Sequence, residues 1–160
     1  MTKKINIKNK GNTFERQVAK ILSDKLSLNF ERTPSSGAIV GGKNYNKKQN
    51  TFDQQSMNVF VGDVFCSNGE IKVAIECKSY KSSDNVQSLI NGNSFIQKWY
   101  DEIVIDAAKV NKTPVLIFKF NRSKIFIASE NLPASIVKMT VGKIKVGLLD
   151  EAMELEDFWV

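Results

Sequence analysis

The chain has 160 residues, enough for one domain with a buried core, and its 42% hydrophobic and 25% charged residues are ordinary for a globular protein. It contains no histidine, which excludes serine–histidine and cysteine–histidine nucleophiles, histidine general bases and histidine metal sites. The net charge of +6 is concentrated in the first 50 residues, where eleven Lys or Arg against three Asp or Glu favour a polyanionic partner, nucleic acid before a membrane.

Neither a membrane span nor a secretory signal is predicted. No apolar run approaches the length of a span, and the N-terminus lacks the hydrophobic core of a signal peptide. The two cysteines, Cys66 and Cys77, are too few for a disulfide framework, so a reduced thiol is expected at Cys77. These features predict a cytoplasmic protein.

The first predicted element is an amphipathic helix that follows a basic N-terminal arm over residues 1–10. Asn12 or Thr13 is placed to cap the helix. An apolar stripe with helical spacing follows, made of Phe14, Val18, Ile21, Leu22 and Leu26. Glu15 falls in the first turn, where a negative charge suits the helix dipole, and this is the simplest interpretation of Glu15 from the pattern alone.

Residues 11–160 are expected to form a single domain that contains one long basic loop. A short strand is predicted over residues 28–32, and the turn residues Thr33-Pro34-Ser35-Ser36-Gly37 follow it. The polar segment over residues 38–56 predicts the loop, because segments of this length in compact domains are usually functional or disordered. Its basic residues include Lys43, Lys47 and Lys48.

The segment from Val59 to Tyr80 predicts two strands joined by a two-residue turn at Asn68-Gly69, the strongest short-range hairpin signal. Apolar and other residues alternate along the second strand, as in a half-buried strand. Counting outward from the turn makes Asp63 and Glu76 diagonal neighbours on one face, about 7–8 Å apart at the backbone. Lys78 is the next residue on that face. The register therefore brings two carboxylates and a lysine together.

The second half of the chain predicts one long helix and several strands. The helix is expected to begin near Ser94 and to end before Pro114, and the apolar strand over residues 115–120 is expected to be central. A strand over residues 124–128, a hairpin within residues 136–149 and a short helix in the acidic tail follow. The order α-β-β-β-α-β-β predicts an α/β domain with a mixed central sheet flanked by helices.

Two carboxylates beside a lysine suit phosphodiester hydrolysis that is assisted by a hard divalent metal ion. Mg²⁺ binds proteins through one or two carboxylates and keeps several waters, a requirement that Asp63 and Glu76 meet. The ion neutralises charge on the phosphate and lowers the pKa of a bound water, which Lys78 can orient or deprotonate. On most strands a Glu-x-Lys pair is only a solvated ion pair, but the apolar flanks and Asp63 favour a site here.

These residues carry a resemblance to a known family. Gly62-Asp63 followed by Ile75-Glu76-Cys77-Lys78 resembles the PD-(D/E)xK nuclease signature, with Gly62 where the family often has proline. Within that superfamily the chain is most similar to the archaeal-type Holliday junction resolvases and their phage relatives, over roughly residues 10–128. The similar segments include Gly11–Arg16, Arg32–Gly37, Gln97, and the strand over residues 115–120 with Lys119.

The resemblance implies a restriction-endonuclease-like fold and a Mg²⁺-dependent endonuclease, with Mn²⁺ as a substitute, that acts on four-way DNA junctions as a homodimer. The implied catalytic residues are Glu15, Ser36, Asp63, Glu76 and Lys78. The implied metal ligands are Asp63, Glu76, Glu15 and the backbone carbonyl of Cys77. The candidate DNA-binding residues are Arg32, Ser36, Lys43, Lys47, Lys48, Gln97 and Lys119.

Two other functions stay open at this point. The same chemistry could serve linear or damaged DNA, as in restriction and repair nucleases, or the chain could be a non-catalytic DNA-binding module. The basic first half could instead serve solubility.

Several residues have structural alternatives as well. Arg32 and Lys119 could merely edge the sheet, and Ser36 could belong to an ordinary turn. Trp99 and Tyr100 could stack on bases, although residues at this helical spacing are more often part of a core. The tail residues Phe158 and Trp159 could dock in a dimer or be exposed at the terminus.

Overall fold

The structure is a computed structural model that describes residues 7–34, 61–80 and 95–160. The loop predicted over residues 38–56, with Lys43, Lys47 and Lys48, lies outside the described residues, and so does Ser36. The described elements are, in chain order, α1 (Ile7–Leu26), β1 (Phe30–Arg32), β2 (Val64–Cys66), β3 (Val73–Tyr80), α2 (Phe95–Lys109), β4 (Thr113–Phe120), β5 (Ile125–Ser129), a 3₁₀ turn (Ala134–Ile136), β6 (Met139–Val141), β7 (Ile144–Leu148), α3 (Leu149–Ala152) and α4 (Glu156–Trp159).

The seven described strands form one mixed sheet in the order β1-β2-β3-β4-β5-β7-β6. β3 and β4 run parallel, and all other neighbouring pairs are antiparallel. β4 is the central strand, and its residues from Val115 to Phe118 are buried, as a continuous apolar run predicts. The predicted α/β fold with a mixed central sheet flanked by helices is confirmed.

Helices cover both faces of the sheet, because alternate residues of a strand point to opposite sides. On one face Ile75 of β3 packs in a core with Phe14 of α1. On the other face Ala74 of β3 packs in a second core with Trp99 of α2. Strand β3 therefore lies between the two helices that contribute the candidate site. No helix in the described ranges combines the length and apolarity needed to cross a membrane.

The first helix begins earlier than the sequence predicts. α1 starts at Ile7, so residues 7–10 belong to the helix and not to the predicted arm. Asn12 and Thr13 lie inside α1, and the prediction that one of them caps it is wrong. Lysine has a high helix propensity, and Gly11 destabilises a helix by only about 1 kcal/mol relative to alanine. The helix can therefore extend through Gly11 to begin at Ile7.

The predicted two-residue turn at Asn68-Gly69 is also wrong, since residues 67–72 connect β2 to β3. Oδ1 of Asn68 accepts a hydrogen bond from the backbone N of Asn29 at 2.6 Å, and Ser67 N donates to Asn29 O at 2.8 Å. These bonds attach the segment to the α1–β1 connection instead of closing a tight turn. β2 consequently pairs Val64 with Ile75, two residues away from the predicted register. A shift of two residues keeps every side chain on its face.

The structure also decides whether three aromatic residues are buried and whether Cys77 is a free thiol. Trp99 and Tyr100 are 8% and 1% exposed, so the interpretation as core residues is confirmed. Trp159 is buried in the α1-side core, where its Nε1 donates to Ala152 O at 2.9 Å, and the prediction of an exposed or dimer-docking Trp159 is wrong. Cys77 is a free thiol, as predicted.

Candidate active site

Asp63 is fixed against the edge of β3 by its backbone and its carboxylate. Its N donates to Ile75 O at 2.7 Å, and its O accepts from Thr33 N at 2.9 Å. Its Oδ2 accepts a hydrogen bond from Cys77 N at 2.8 Å, and the residue is only 7% exposed. The carboxylate thus takes the place that a neighbouring strand's carbonyl would occupy at Cys77.

Gly62 makes this approach possible. It has a φ of +83°, and a Cβ at this position would lie 2.5 Å from Ile75 O. Only glycine combines the left-handed conformation with so close a contact to a neighbouring backbone. The glycine that stands where the resembling family often has proline is therefore required by the path of the chain into Asp63.

Glu76 and Lys78 project from β3 on the α2 face, since they share the parity of Ala74. Lys78 Nζ lies 2.7 Å from Glu76 Oε1 and 3.0 Å from Glu102 Oε2, a residue of α2. The side chains of Glu76 and Lys78 are 19% and 28% exposed. The structure therefore places the predicted glutamate and lysine together in a partly buried ion pair beside Asp63.

The pKa values of Glu76 and Lys78 are both raised, but for different reasons. Burial, and next the charge of Asp63, raise the pKa of Glu76 from 4.5 to about 7, against the opposing effect of the Lys78 ammonium. Burial alone would lower the pKa of Lys78, but the charge of Glu76 and hydrogen bonds with Glu76 and Glu102 raise it. The rise at Lys78 reflects attraction to carboxylates, whereas the rise at Glu76 reflects burial first and the charge of Asp63 second. The Lys78 ammonium therefore does not offset the combined effect of burial and Asp63 on the pKa of Glu76.

Glu15 of α1 adds a third carboxylate. Arg32 of β1 donates from Nε to Glu15 Oε2 and from Nη2 to Asn12 Oδ1 at 3.0 Å. Burial and the charge of Asp63 raise the pKa of Glu15, although the bond and charge of Arg32 lower it. Glu15 and Asp63 are therefore close enough for the charge of one to affect the other. Arg32, a candidate for DNA binding, is engaged with Glu15 and Asn12.

The donor chemistry fits a hard divalent cation with open coordination positions. In the described ranges no three His, Cys, Asp or Glu side chains form a closed cluster that could hold an ion. Mg²⁺ requires only one or two carboxylates, because it keeps most of its waters. Asp63 and Glu76 supply such oxygen donors, and the charge of Asp63 adds to burial in raising the pKa of Glu76, so a cation between them would favour the ionised form of both. The backbone of Cys77, which bonds to Asp63, borders the same position.

Two other candidate residues lie apart from this pair of carboxylates. Lys119 of β4 donates from Nζ to Gln17 Oε1 at 2.7 Å and lies 4.8 Å from the centroid of the Phe14 ring, on the α1 side. Gln97 of α2 donates to Asp101 Oδ1 at 2.8 Å and lies beside Gly142 in the β6–β7 turn. Lys119 thus flanks the helix that carries Glu15, whereas Gln97 is near the opposite edge of the sheet from β1.

The sequence does not single out Glu102, the second partner of Lys78. Its position follows from the packing of α2 across β3, which the sequence alone does not specify. The available signal is spacing: Glu102 lies three residues after Trp99, which makes the two side chains neighbours on one helix face.

Comparisons with known proteins identify the family to which the chain belongs. Residues 6–154 match the family described as "Phage putative PDDEXK endonuclease". Protein D14 of Escherichia phage T5 is 30% identical over 131 residues, which span 79% of this chain and 72% of that protein. Among solved structures, the chain is similar to Hjc, a Holliday junction resolvase from Archaeoglobus fulgidus, with a TM-score of 0.37 and 18% identity over 88% of this chain and 85% of Hjc.

Proposed function

This chain belongs to the phage PDDEXK endonuclease family, and we propose that it is a metal-dependent endodeoxyribonuclease that cleaves phosphodiester bonds in four-way DNA junctions. The observation that carries the proposal is the ion pair of Glu76 and Lys78 beside the buried carboxylate of Asp63. A carboxylate pair that can hold a metal ion, with an ammonium beside it, can support hydrolysis of a phosphodiester without histidine.

Asp63 and Glu76 would hold the metal ion, with Glu15 and the Cys77 carbonyl as further oxygen donors. The cofactor proposed is Mg²⁺, for which Mn²⁺ would substitute, since both accept carboxylate and water ligands. When bound, the ion would neutralise charge on the scissile phosphate and lower the pKa of the attacking water. The hydrogen bond from Cys77 N fixes the Asp63 carboxylate in advance, which reduces the reorganisation needed during the reaction.

Lys78 would act as an ammonium rather than as a base. Its pKa is raised by Glu76 and Glu102, so it stays protonated and can donate hydrogen bonds to the attacking water or to phosphate oxygens. During attack the water would lose a proton to solvent as its oxygen bonds to phosphorus, the bond from phosphorus to the leaving oxygen would break, and the leaving oxygen would take up a proton from solvent. The positive charge of Lys78 would oppose the negative charge that builds up on the phosphate at that stage.

A branched DNA substrate is supported by the sequence similarity of residues 10–128 to junction resolvases and by the basic first half of the chain. Basic surface supplies affinity for phosphates without regard to sequence. Symmetric cleavage of a four-way junction requires two active sites, so we propose a homodimer. Arg32 bonds to Glu15, and Lys119 lies against Phe14, the residue before Glu15 in α1; these are the described residues proposed to contact the DNA backbone.

The test compares carboxylate variants on a labelled junction and on duplex DNA of the same sequence. Asp63→Asn and Glu76→Gln should abolish Mg²⁺-dependent cleavage while junction binding is retained. Glu70→Gln is the matched control, because Glu70 is an exposed carboxylate in the connection before β3. Cleavage by either site variant at the parent's rate would contradict the site.

The substrate is tested by the two DNA forms at one salt concentration. Preferential cleavage of the junction supports a resolvase. Equal or preferential cleavage of duplex would instead support a restriction or repair nuclease. Salt-sensitive binding without any effect of Mg²⁺ on DNA integrity would identify a non-catalytic binding module.

A further inference from the structure

Three aromatic rings lie next to Lys78 at the end of the proposed active site. Tyr80 is the next residue after Lys78 on the same face of β3, about 6.6 Å farther along the strand. Its ring centroid lies 6.1 Å from that of Phe95 and 5.6 Å from that of Trp99. Phe95 and Trp99 are themselves 6.0 Å apart and stacked. We call Tyr80, Phe95 and Trp99 the aromatic platform.

The platform and the active site are aligned by two elements that run side by side. β3 presents Lys78 and then Tyr80 on one face. On α2, Glu102 lies opposite Lys78. Trp99 and Phe95, which are nearer the N-terminus of α2, lie opposite Tyr80. Residues 95, 99 and 102 share one face of a helix because they are four and three positions apart. The platform is therefore continuous with the ion pair at Lys78.

Packing in the core beneath α2 explains the position of Trp99 but not the exposure of Tyr80 and Phe95. Trp99 is 8% exposed and contacts Phe118 of the sheet, as a core residue does. Tyr80 and Phe95 are 45% and 38% exposed, although large apolar rings gain most from burial. Two exposed rings supported from beneath by a buried tryptophan form a surface that can accept another flat ring.

We propose that Tyr80 and Phe95 form a stacking surface for an unpaired nucleobase close to the scissile phosphate. Successive nucleotides are spaced about 3.4 Å apart along a strand, so a base one or two nucleotides from a phosphate at Lys78 reaches Tyr80. Aromatic rings stack on any base and do not read sequence. In intact duplex the faces of the bases are covered by their neighbours, so this surface selects DNA with unstacked bases, as at a branch point. The inference rests on the proposed function, because it uses Lys78 to locate the phosphate.

The test measures how much of the affinity for DNA depends on the bases. Full-length protein in EDTA is titrated with a fluorescently labelled 15-nucleotide oligothymidine and with an abasic oligomer of the same length. Tyr80→Ala and Phe95→Ala should each weaken binding of oligothymidine about tenfold and leave binding of the abasic oligomer unchanged. Tyr80→Trp should keep the parent's affinity, since it keeps a flat ring.

Ile105→Ala is the matched control, because Ile105 is 63% exposed on the same helix and is not aromatic. It should change neither affinity. Equal losses for both oligomers, or no loss for either in both alanine variants, would overturn the proposal. A change in oligomeric state of Tyr80→Ala, measured by light scattering, would also overturn it and would assign the rings to a contact between copies of the chain.

Phe95→Ala tests the same surface if Tyr80→Ala fails to fold. The stacking assay contains no metal ion, so its outcome is separate from that of the nuclease assay. A parent protein that cuts no DNA but shows base-dependent binding refutes the nuclease and leaves the stacking surface standing. A parent protein that cuts junctions without base-dependent binding refutes only the stacking surface.

Discussion

Replacing Glu76 by glutamine should stabilise the fold at alkaline pH while it abolishes cleavage. Burial and the charge of Asp63 raise the pKa of Glu76 from 4.5 to about 7 in the folded chain. The folded state therefore favours the protonated acid, and ionisation costs stability. This cost is absent below pH 4.5, grows as the pH rises, and is complete above pH 7. The interval between the two pKa values corresponds to about 3 kcal/mol.

Urea unfolding without divalent metal ions measures this cost at pH 5 and pH 8. Glu76→Gln should be more stable than the parent by about 3 kcal/mol at pH 8 and by about 1 kcal/mol at pH 5. At pH 8, Mg²⁺ at 100 times its dissociation constant should stabilise the parent by about 3 kcal/mol and the variant by much less. Glu70→Gln is the control and should show neither effect. A variant that is less stable than the parent at pH 8 would refute the reasoning.

Three further predictions address the neighbouring residues. Gly62→Ala should destabilise the fold by at least about 1–2 kcal/mol in urea unfolding and lower cleavage, because the added Cβ meets Ile75 O and displaces Asp63. Lys78→Ala should lower the single-turnover cleavage rate by about a hundredfold or more. Its affinity for Mg²⁺, measured by calorimetry, should not fall, because an opposing charge is removed. Arg32→Ala should cost about 2–3 kcal/mol in urea unfolding, since it leaves the buried Glu15 without its ion partner.

Each of these predictions has an outcome that contradicts it. A fully stable and active Gly62→Ala variant would show that the backbone does not need glycine to place Asp63. Undiminished cleavage by Lys78→Ala would exclude the ammonium from the reaction. A double variant, Arg32→Ala with Glu15→Gln, should recover most of the lost stability, and a failure to recover would mean that the loss is unrelated to their ion pair.

The shared face of Glu76 and Lys78 could be predicted because it depends only on the alternation of side chains along one strand, which an error of two residues in register does not change. The position of Asp63 could not be derived in this way, because Asp63 precedes β2 and its carboxylate bonds to the backbone N of Cys77. The turn at Asn68-Gly69 could not be predicted correctly, because the Asn68 side chain bonds to the backbone of Asn29, far away in the sequence. This long-range hydrogen bond outweighs the local preference of Asn-Gly for a two-residue turn.

Contacts between residues far apart in the sequence were harder to predict than the positions of helices and strands. The strands over residues 113–129 and the final hairpin lie close to their predicted positions, because their apolar patterns are strong. Glu102 could not be assigned to Lys78, since the turn of α2 that covers β3 is set by packing. The burial of Trp159 likewise depends on the core that the tail joins. Tyr80, the exposed ring beside the proposed site, carries no local signal that separates it from other strand-end tyrosines.

The central claim is metal-assisted cleavage of branched DNA at Asp63, Glu76 and Lys78. Its most direct test is incubation of a four-way junction, labelled in turn on each strand, with the parent protein or Glu76→Ala in the presence of Mg²⁺. The parent should produce paired, symmetric nicks near the branch point, and Glu76→Ala should produce none. Equal cutting by both proteins, or no Mg²⁺-dependent cutting by the parent, would contradict the account.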